Sequence, residues 1–182
     1  RYVPLNVHSH YSFLDSTLSI PAIIEVARKH ELPAVALADT GNLHGAVEFC
    51  LAAKQAGLKP IVGAEVTIDG QPVWLYVENT TGYTNLCRLL SHDPADAGKE
   101  RVDEDSCLRR VALRSHRLDG LTEGLLAVSR HTALASWFSG GFYRAVSSGD
   151  APQPGQDSLP GVWLHPVHYA VRADRQKFDI VQ

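Results

Sequence analysis

The chain has 182 residues, 45% hydrophobic and 20% charged, a length and balance that predict one globular domain and exclude a wholly disordered chain. Seventeen basic and twenty acidic side chains leave a formal charge of -3, so no global field draws the chain to phosphate backbones and any nucleic-acid contact has to be local. No run approaches the roughly 18 apolar residues of a membrane span. His8, His10 and Asp15 also stand where a signal peptide needs an apolar stretch, so neither export nor insertion is expected.

Short apolar runs alternate with amphipathic segments, the pattern of an α/β fold with a parallel sheet or barrel. Val3–His8 reads as the first strand. Ser19 then caps a helix whose Ile20, Ile23, Ile24 and Ala27 fall on one stripe. Ala34–Asp39 is the second strand, followed by a helix with Leu43, Val47, Cys50 and Leu51 on its apolar face and Gly57 at its C-terminus. Strands follow at Pro60–Ile68, Val73–Val77, Leu125–Ser129 and Val162–His165. Helices are predicted at Tyr83–Ser91, Glu104–His116, Thr132–Val146 and Ala173–Val181. Asp93–Asp103 and Ser147–Pro160, rich in polar residues, Gly and Pro, read as loops.

Cys50, Cys87 and Cys107 form neither an even disulfide set nor a CxxC pair, which favours a reducing compartment. There is no methionine, even at position 1, which suggests a fragment of a longer chain. The nine histidines suggest a metal site. The strongest local signal is Val7-His8-Ser9-His10 with Asp15 beyond it. Residues i and i+2 of a strand share a face, so His8 and His10 could present two imidazoles to one cation, with Asp15 reaching back. Two surface histidines at a strand end is the plainer alternative. Ala38-Asp39-Thr40-Gly41-Asn42 is first of all a helix entry. Glu65 lies in an apolar β-branched run, where a carboxylate needs a cation, hydrogen bonds or an outward orientation.

These segments, with PAVALADTGNLHGAVEFCLAAKQAGLKPIVGAEV, NTTGYTNLCRLLS, GLTEGLLAVS and VHYAVRADRQKFDIV after VHSHYSFLD, resemble in order and spacing the N-terminal PHP (polymerase and histidinol phosphatase) domain of bacterial DNA polymerase III alpha subunits, error-prone members included. The resemblance implies a distorted (β/α)7-like barrel of parallel strands, here incomplete at about six. It also implies a rim cluster of divalent metals, Zn, Mn or Fe, that hydrolyses phosphate esters where it is intact. By position, His8, His10, Asp15, Glu65, His131 and His168 match its ligands. Departures are equally specific. The T-D-H-G motif reads Ala38-Asp39-Thr40-Gly41, an expected His-Leu reads Pro72-Val73, and Asn-Asp-Val-His reads His165-Pro166-Val167-His168. A family segment of several dozen residues is reduced to the connector 149–160.

The expectation is therefore a single PHP domain over 1–182 with a partly degraded metal site. Its role would be mainly structural, in DNA replication or error-prone synthesis, in the cytoplasm. Its partners would be a polymerase body or other replication subunits, touching DNA only indirectly and no membrane. The alternatives are a free-standing metal-dependent phosphoesterase or 3′–5′ exonuclease, and a metal-free interaction module. Arg109, Arg110, Arg114 and Arg117 read as a solvated helix face, since Glu104 and Asp105 precede them.

Overall fold

The computed structural model describes residues 2–13, 15–91, 112–146 and 159–167. Helix α1 (Ile20–Lys29) follows the sequence rules closely. Ser19, in extended backbone, accepts from the Ala22 N–H, Pro21 occupies the first turn, and Arg28 and Lys29 sit at the negative C-terminal end. Its predicted stripe, Ile20, Ile23, Ile24 and Ala27, is buried against Val7, Leu18, Val35 and Leu37.

A curled sheet forms the centre. Strands β1 (Ala34–Thr40), β2 (Lys59–Ile68), β3 (Gln71–Val77), β5 (Leu125–Ser129), β6 (Phe142–Val146) and β7 (Gly161–Trp163) lie side by side in that order. A two-residue β4 (Ala112–Leu113) pairs with the end of β2. The six-strand path agrees with the expected number, but the sheet is mixed. β3 runs antiparallel to both β2 and β5, while the other pairs are parallel. The cause is local. Asp69 and Gly70 both take positive φ, 47° and 77°, the two-residue turn that joins antiparallel strands and leaves no room for a crossover helix.

Val3–His8, predicted as a strand, makes one isolated parallel bridge, Val7 to Val167, instead of a ladder. Pro4 has no N–H to give. Its carbonyl accepts from the Ala36 N–H, and Val7 accepts from that of Ala38. On the other side the His8 N–H donates to Val167 and the Val167 N–H to Asn6. The segment thus ties the β1 edge of the sheet to the chain leaving β7.

Alternation along the strands sorts side chains to two faces. Inside the curl lie Ala36, Ala38, Tyr76, Val128, Ala145 and Leu164. Outside, Val35 and Leu37 pack on α1 and α2 (Ala46–Gln55), while Ala64, Val66, Val73, Leu75 and Ala127 pack with Leu86 and Leu89 of α3 (Thr80–Leu90). α3 can sit this close because Gly82 meets Gly124. A Cβ at Gly82 would lie 1.8 Å from the Gly124 carbonyl oxygen.

Three helix predictions change. In α2 the buried face is Ala46, Phe49 and Ala53, while Val47 and Leu51 are exposed: Phe49 fills the core contact, and the two alanines on its face let the helix approach. The predicted helix Thr132–Val146 splits into a 3-10 helix, Thr132–Trp137, and strand β6. The break falls at Gly140-Gly141, where Gly141 has φ 144°. The described end of Glu104–His116 is β4 followed by a 3-10 turn, Ser115–Leu118. Residues 104–111, the predicted helix Ala173–Val181, the loop Asp93–Asp103 and most of Ser147–Pro160 lie outside the described residues. Among the described residues no helix is long and apolar enough to cross a membrane.

Candidate functional site

Polar side chains from four elements meet at one rim of the curled sheet. β1 ends in Asp39 and Thr40, and register places Thr40 opposite Glu65 of β2. The N-terminal segment brings Asn6 and His8, and the loop after it brings Asp15. Asp39, 1% exposed, organises that loop. Its carboxylate accepts from the Ser9 N–H at 2.6 Å, the Ser9 hydroxyl at 2.7 Å and the Ser12 hydroxyl at 2.7 Å. Ser12 Oγ in turn accepts from the Thr40 N–H at 3.0 Å, so the loop is knotted to the end of β1.

His8, also 1% exposed, is surrounded differently. Its Nε2 lies 2.6 Å from Asn6 Oδ1 and 3.4 Å from Glu65 Oε2. Trp74 Nε1, a donor only, bonds the same Asn6 oxygen at 3.0 Å and so fixes that oxygen toward the imidazole. On the other side, Nδ1 faces Asp15 Oδ2 at 3.2 Å, Thr40 Oγ1 at 3.3 Å and Ser12 Oγ at 3.4 Å. Thr40 donates its hydroxyl proton to Asp15 at 3.0 Å, and Ser12 donates to Asp39. The ring therefore sits among acceptors at both nitrogens. Nearby, the buried Tyr76 hydroxyl donates to the Leu5 carbonyl at 3.1 Å. Burial first, and the Glu65 charge second, push its pKa well above the ordinary tyrosine value.

A cleft of about 440 Å³ opens beside this cluster, lined by Asn6, His8, Asp15, Glu65, Trp74 and Arg130 and bounded by apolar residues of β6 and the chain after β7. Of the six predicted ligands, His8, Asp15 and Glu65 share the cleft. His10 does not join them, because strand geometry ends at Ser9 and the chain turns. Its ring is exposed, stacks 4.4 Å from Tyr11, and its Nδ1 lies 3.2 Å from the Leu18 carbonyl. His131 follows β5 with its N–H on Ser129 Oγ and does not line the cleft. His168 lies outside the described residues. The pair that shares the cleft at i and i+2 is Asn6 and His8. The alternation that made His8 and His10 a candidate pair applies equally to Asn6 and His8, and strand-like backbone extends only that far.

The donor set decides what such a site can hold. Among the described residues no three His, Cys, Asp or Glu side chains converge on one point. Asp15 and Glu65 approach opposite nitrogens of His8, and a neutral imidazole offers one lone pair, so one ion cannot take all three. The described residues do not fit a cluster of two or three ions. The largest set on one side of the ring is His8 Nε2, the Glu65 carboxylate and the Asn6 amide oxygen.

Comparison with known proteins adds an independent line. The PHP domain family matches residues 4–148. An error-prone DNA polymerase of Symbiobacterium thermophilum is 33% identical over 189 aligned residues, covering 87% of this chain and 17% of that protein. A DNA polymerase III subunit alpha of Rickettsia conorii is 41% identical over 97 residues, 50% of this chain and 8% of its own. That of Halalkalibacterium halodurans is 31% identical over 159 residues, 85% of this chain and 13% of its own. The chain thus spans less than a fifth of these curated relatives. In fold it is similar to a Bifidobacterium adolescentis protein described as a metal-dependent phosphoesterase, with a TM-score of 0.56 and 13% identity over 82% of this chain and 79% of that one.

Proposed function

Because the chain belongs to the PHP domain family, matched over residues 4–148, we propose that it serves as the PHP domain of a bacterial DNA polymerase III alpha-type protein and that its role there is mainly structural. The proposed domain spans 1–182, with 149–160 as a shortened connector. Its work is in DNA replication or error-prone synthesis in the cytoplasm, against a polymerase body or other replication subunits, with DNA touched only indirectly. Similarity to polymerase segments supports this reading. One observation carries the structural emphasis. The cleft's polar groups satisfy one another, with Thr40, a hydroxyl, bonded to Asp15 and facing His8 where the family pattern has an imidazole.

Divalent metal use goes with the family, and a partly degraded site is part of the proposal. The ion would be Zn, Mn or Fe, at partial occupancy or absent. The proposed ligands remain His8, His10, Asp15, Glu65, His131 and His168, of which the cleft gathers three. The second reading is a metal-dependent phosphoesterase or 3′–5′ exonuclease, favoured by the approach of His8 Nε2, Glu65 and Asn6 at the cleft. A bound ion would there supply an activated water and a clamp on phosphoryl oxygens. His8 and Glu65 would hold it, and Trp74 would orient the Asn6 oxygen.

The deciding experiment is metal analysis of the chain purified without chelator and again after equilibration with Mn²⁺ or Zn²⁺, with His8→Ala in parallel. Aryl-phosphate hydrolysis and nucleotide release from single-stranded DNA are measured on the same samples. Substoichiometric metal and no turnover are expected. Stoichiometric metal that His8→Ala abolishes, together with turnover, would overturn the structural reading in favour of the second.

A further inference from the structure

The polar cleft contains one more charged group than the ligand positions account for. Among the described residues Arg130 is the one lysine or arginine that lines it, in company with Asp15 and Glu65. Register explains how it gets there. Glu65 of β2 stands opposite Trp74 of β3, and Trp74 opposite Val128 of β5, so the three form a row across the sheet. Val128 faces into the curl, and alternation turns Arg130, two residues on, to the same side at the rim. The pairing of Val73 with Ser129, carried one step further, sets Arg130 beside Pro72, which also lines the cleft. Pro72 stands where the family pattern has a histidine, so the strand position next to Arg130 offers a small apolar ring and no ligand.

Charge then decides what Arg130 does. Asp15 and Glu65 approach the two nitrogens of His8, each only 13% exposed, and carboxylates held partly out of water need positive charge nearby. His8, Asp15, Glu65 and Arg130 all have partners. A guanidinium stays charged at every accessible pH, carries five donors in one plane and is more weakly hydrated than an ammonium, so it suits a half-closed site. A divalent ion entering the cleft would meet that charge where the dielectric is lower than in water and repulsion between cations is stronger. Arg130 is exposed overall, so it stands at the mouth of the cleft and not in the core, and substituting it leaves the packing intact.

We propose that Arg130 is the resident cation of the cleft, a tethered guanidinium that balances Asp15 and Glu65 in the place of a divalent ion and keeps such ions out. It is a positioning residue that acts on the two carboxylates. The inference deepens the structural reading of the cleft and rests on it. The donor set does not fit a cluster of ions, and Arg130 explains how two carboxylates persist there without one.

Mn²⁺ titration of the whole chain tests it, by calorimetry and by metal content after gel filtration, with the thermal unfolding midpoint as a second readout. Arg130→Gln keeps a polar side chain and removes the charge. It should bind Mn²⁺ at least about 10-fold more tightly than the parent, and Mn²⁺ should raise its unfolding midpoint while leaving that of the parent unmoved. Arg130→Lys keeps the charge and should bind Mn²⁺ within about 3-fold of the parent. Adding Glu65→Gln to Arg130→Gln should cancel the gain, which assigns the ion to this cleft. An Arg130→Gln chain that folds only with Mn²⁺ present would support the proposal equally. Equal Mn²⁺ affinity in the parent and in folded Arg130→Gln would overturn it and leave the structural reading standing. So would a gain in Arg130→Lys equal to that in Arg130→Gln, which would make bulk and not charge the barrier. Stoichiometric Mn²⁺ in the parent itself is a different failure, that of the structural reading, and would take the proposal with it.

Discussion

Two buried polar residues at the same rim, Asp39 and His8, are equally hidden from solvent and oppositely furnished. Asp39 is an acceptor met by three donors from the loop it holds, so every bond it makes is complementary. His8 is ringed by oxygens from Asn6, Asp15, Thr40, Ser12 and Glu65. The first arrangement is complete within the chain and needs no ligand. The second gathers two carboxylates about one imidazole, one at each ring nitrogen, with Thr40 bonded to Asp15 on one side and Asn6 held by Trp74 on the other. The Asp39 knot is a folding device, and in the proposed reading the His8 cluster is what is left of a partly degraded metal site.

Breaking the knot should cost most. Asp39→Ala strands a buried N–H and two hydroxyls that were bonded to a charged acceptor, for a loss of about 3–5 kcal/mol, read by urea unfolding. The loss should be the same with EDTA or Mn²⁺, since Asp39 itself does not line the cleft. His8→Ala should cost less, about 2 kcal/mol, because Asp15 and Glu65 are each 13% exposed and can turn to water. If the cleft is metal-free in use, Mn²⁺ will raise the unfolding midpoint of neither parent nor variant. A metal-dependent rise in the parent that His8→Ala removes would reverse the contrast between the two residues.

The difference also explains what could be read from the chain. α1 was legible because cap, stripe and terminal charges all agree, and it packs on a face that periodicity describes. The Asp69-Gly70 turn is equally local, a two-residue signal that makes β3 antiparallel to β2. Gly140-Gly141 marks where Thr132–Val146 stops being helical, yet its apolar content alone suits either period. In α2, Phe49 sets the buried face with Ala46 and Ala53 beside it, so Val47 and Leu51 face out although they are apolar. At the rim, His10 looked like a partner of His8 only while the strand was assumed to continue. The turn at Ser9 is dictated by Asp39, thirty residues away, and no local pattern reports it. Asn6 and Trp74 were silent for the same reason, since their bond spans 68 residues.

Trp74→Phe acts on the His8 side of the rim. It keeps the ring and removes the donor that fixes Asn6 Oδ1, for about 1 kcal/mol, while the amide becomes free to turn. The expected signature is a change in the His8 ring resonances by NMR with those of His10 and His131 unmoved.

An effect of similar size at neutral pH concerns Tyr76, whose hydroxyl donates to Leu5 and thereby holds the same segment that carries His8. Its folded pKa is raised by burial and then by Glu65. The unfolded tyrosine ionises near pH 10, so above that pH the unfolded chain releases a proton that the folded chain keeps. The native state therefore binds more protons, and stability falls as pH rises past about 10. Tyr76→Phe, costing about 1 kcal/mol below that range, should lose the part of the alkaline slope that Tyr76 supplies. Denaturation midpoints at pH 8 and pH 11 give the comparison. Equal alkaline slopes in the two proteins would mean that the hydroxyl is not held against Leu5, and that the N-terminal segment relies on β1 and Val167 alone.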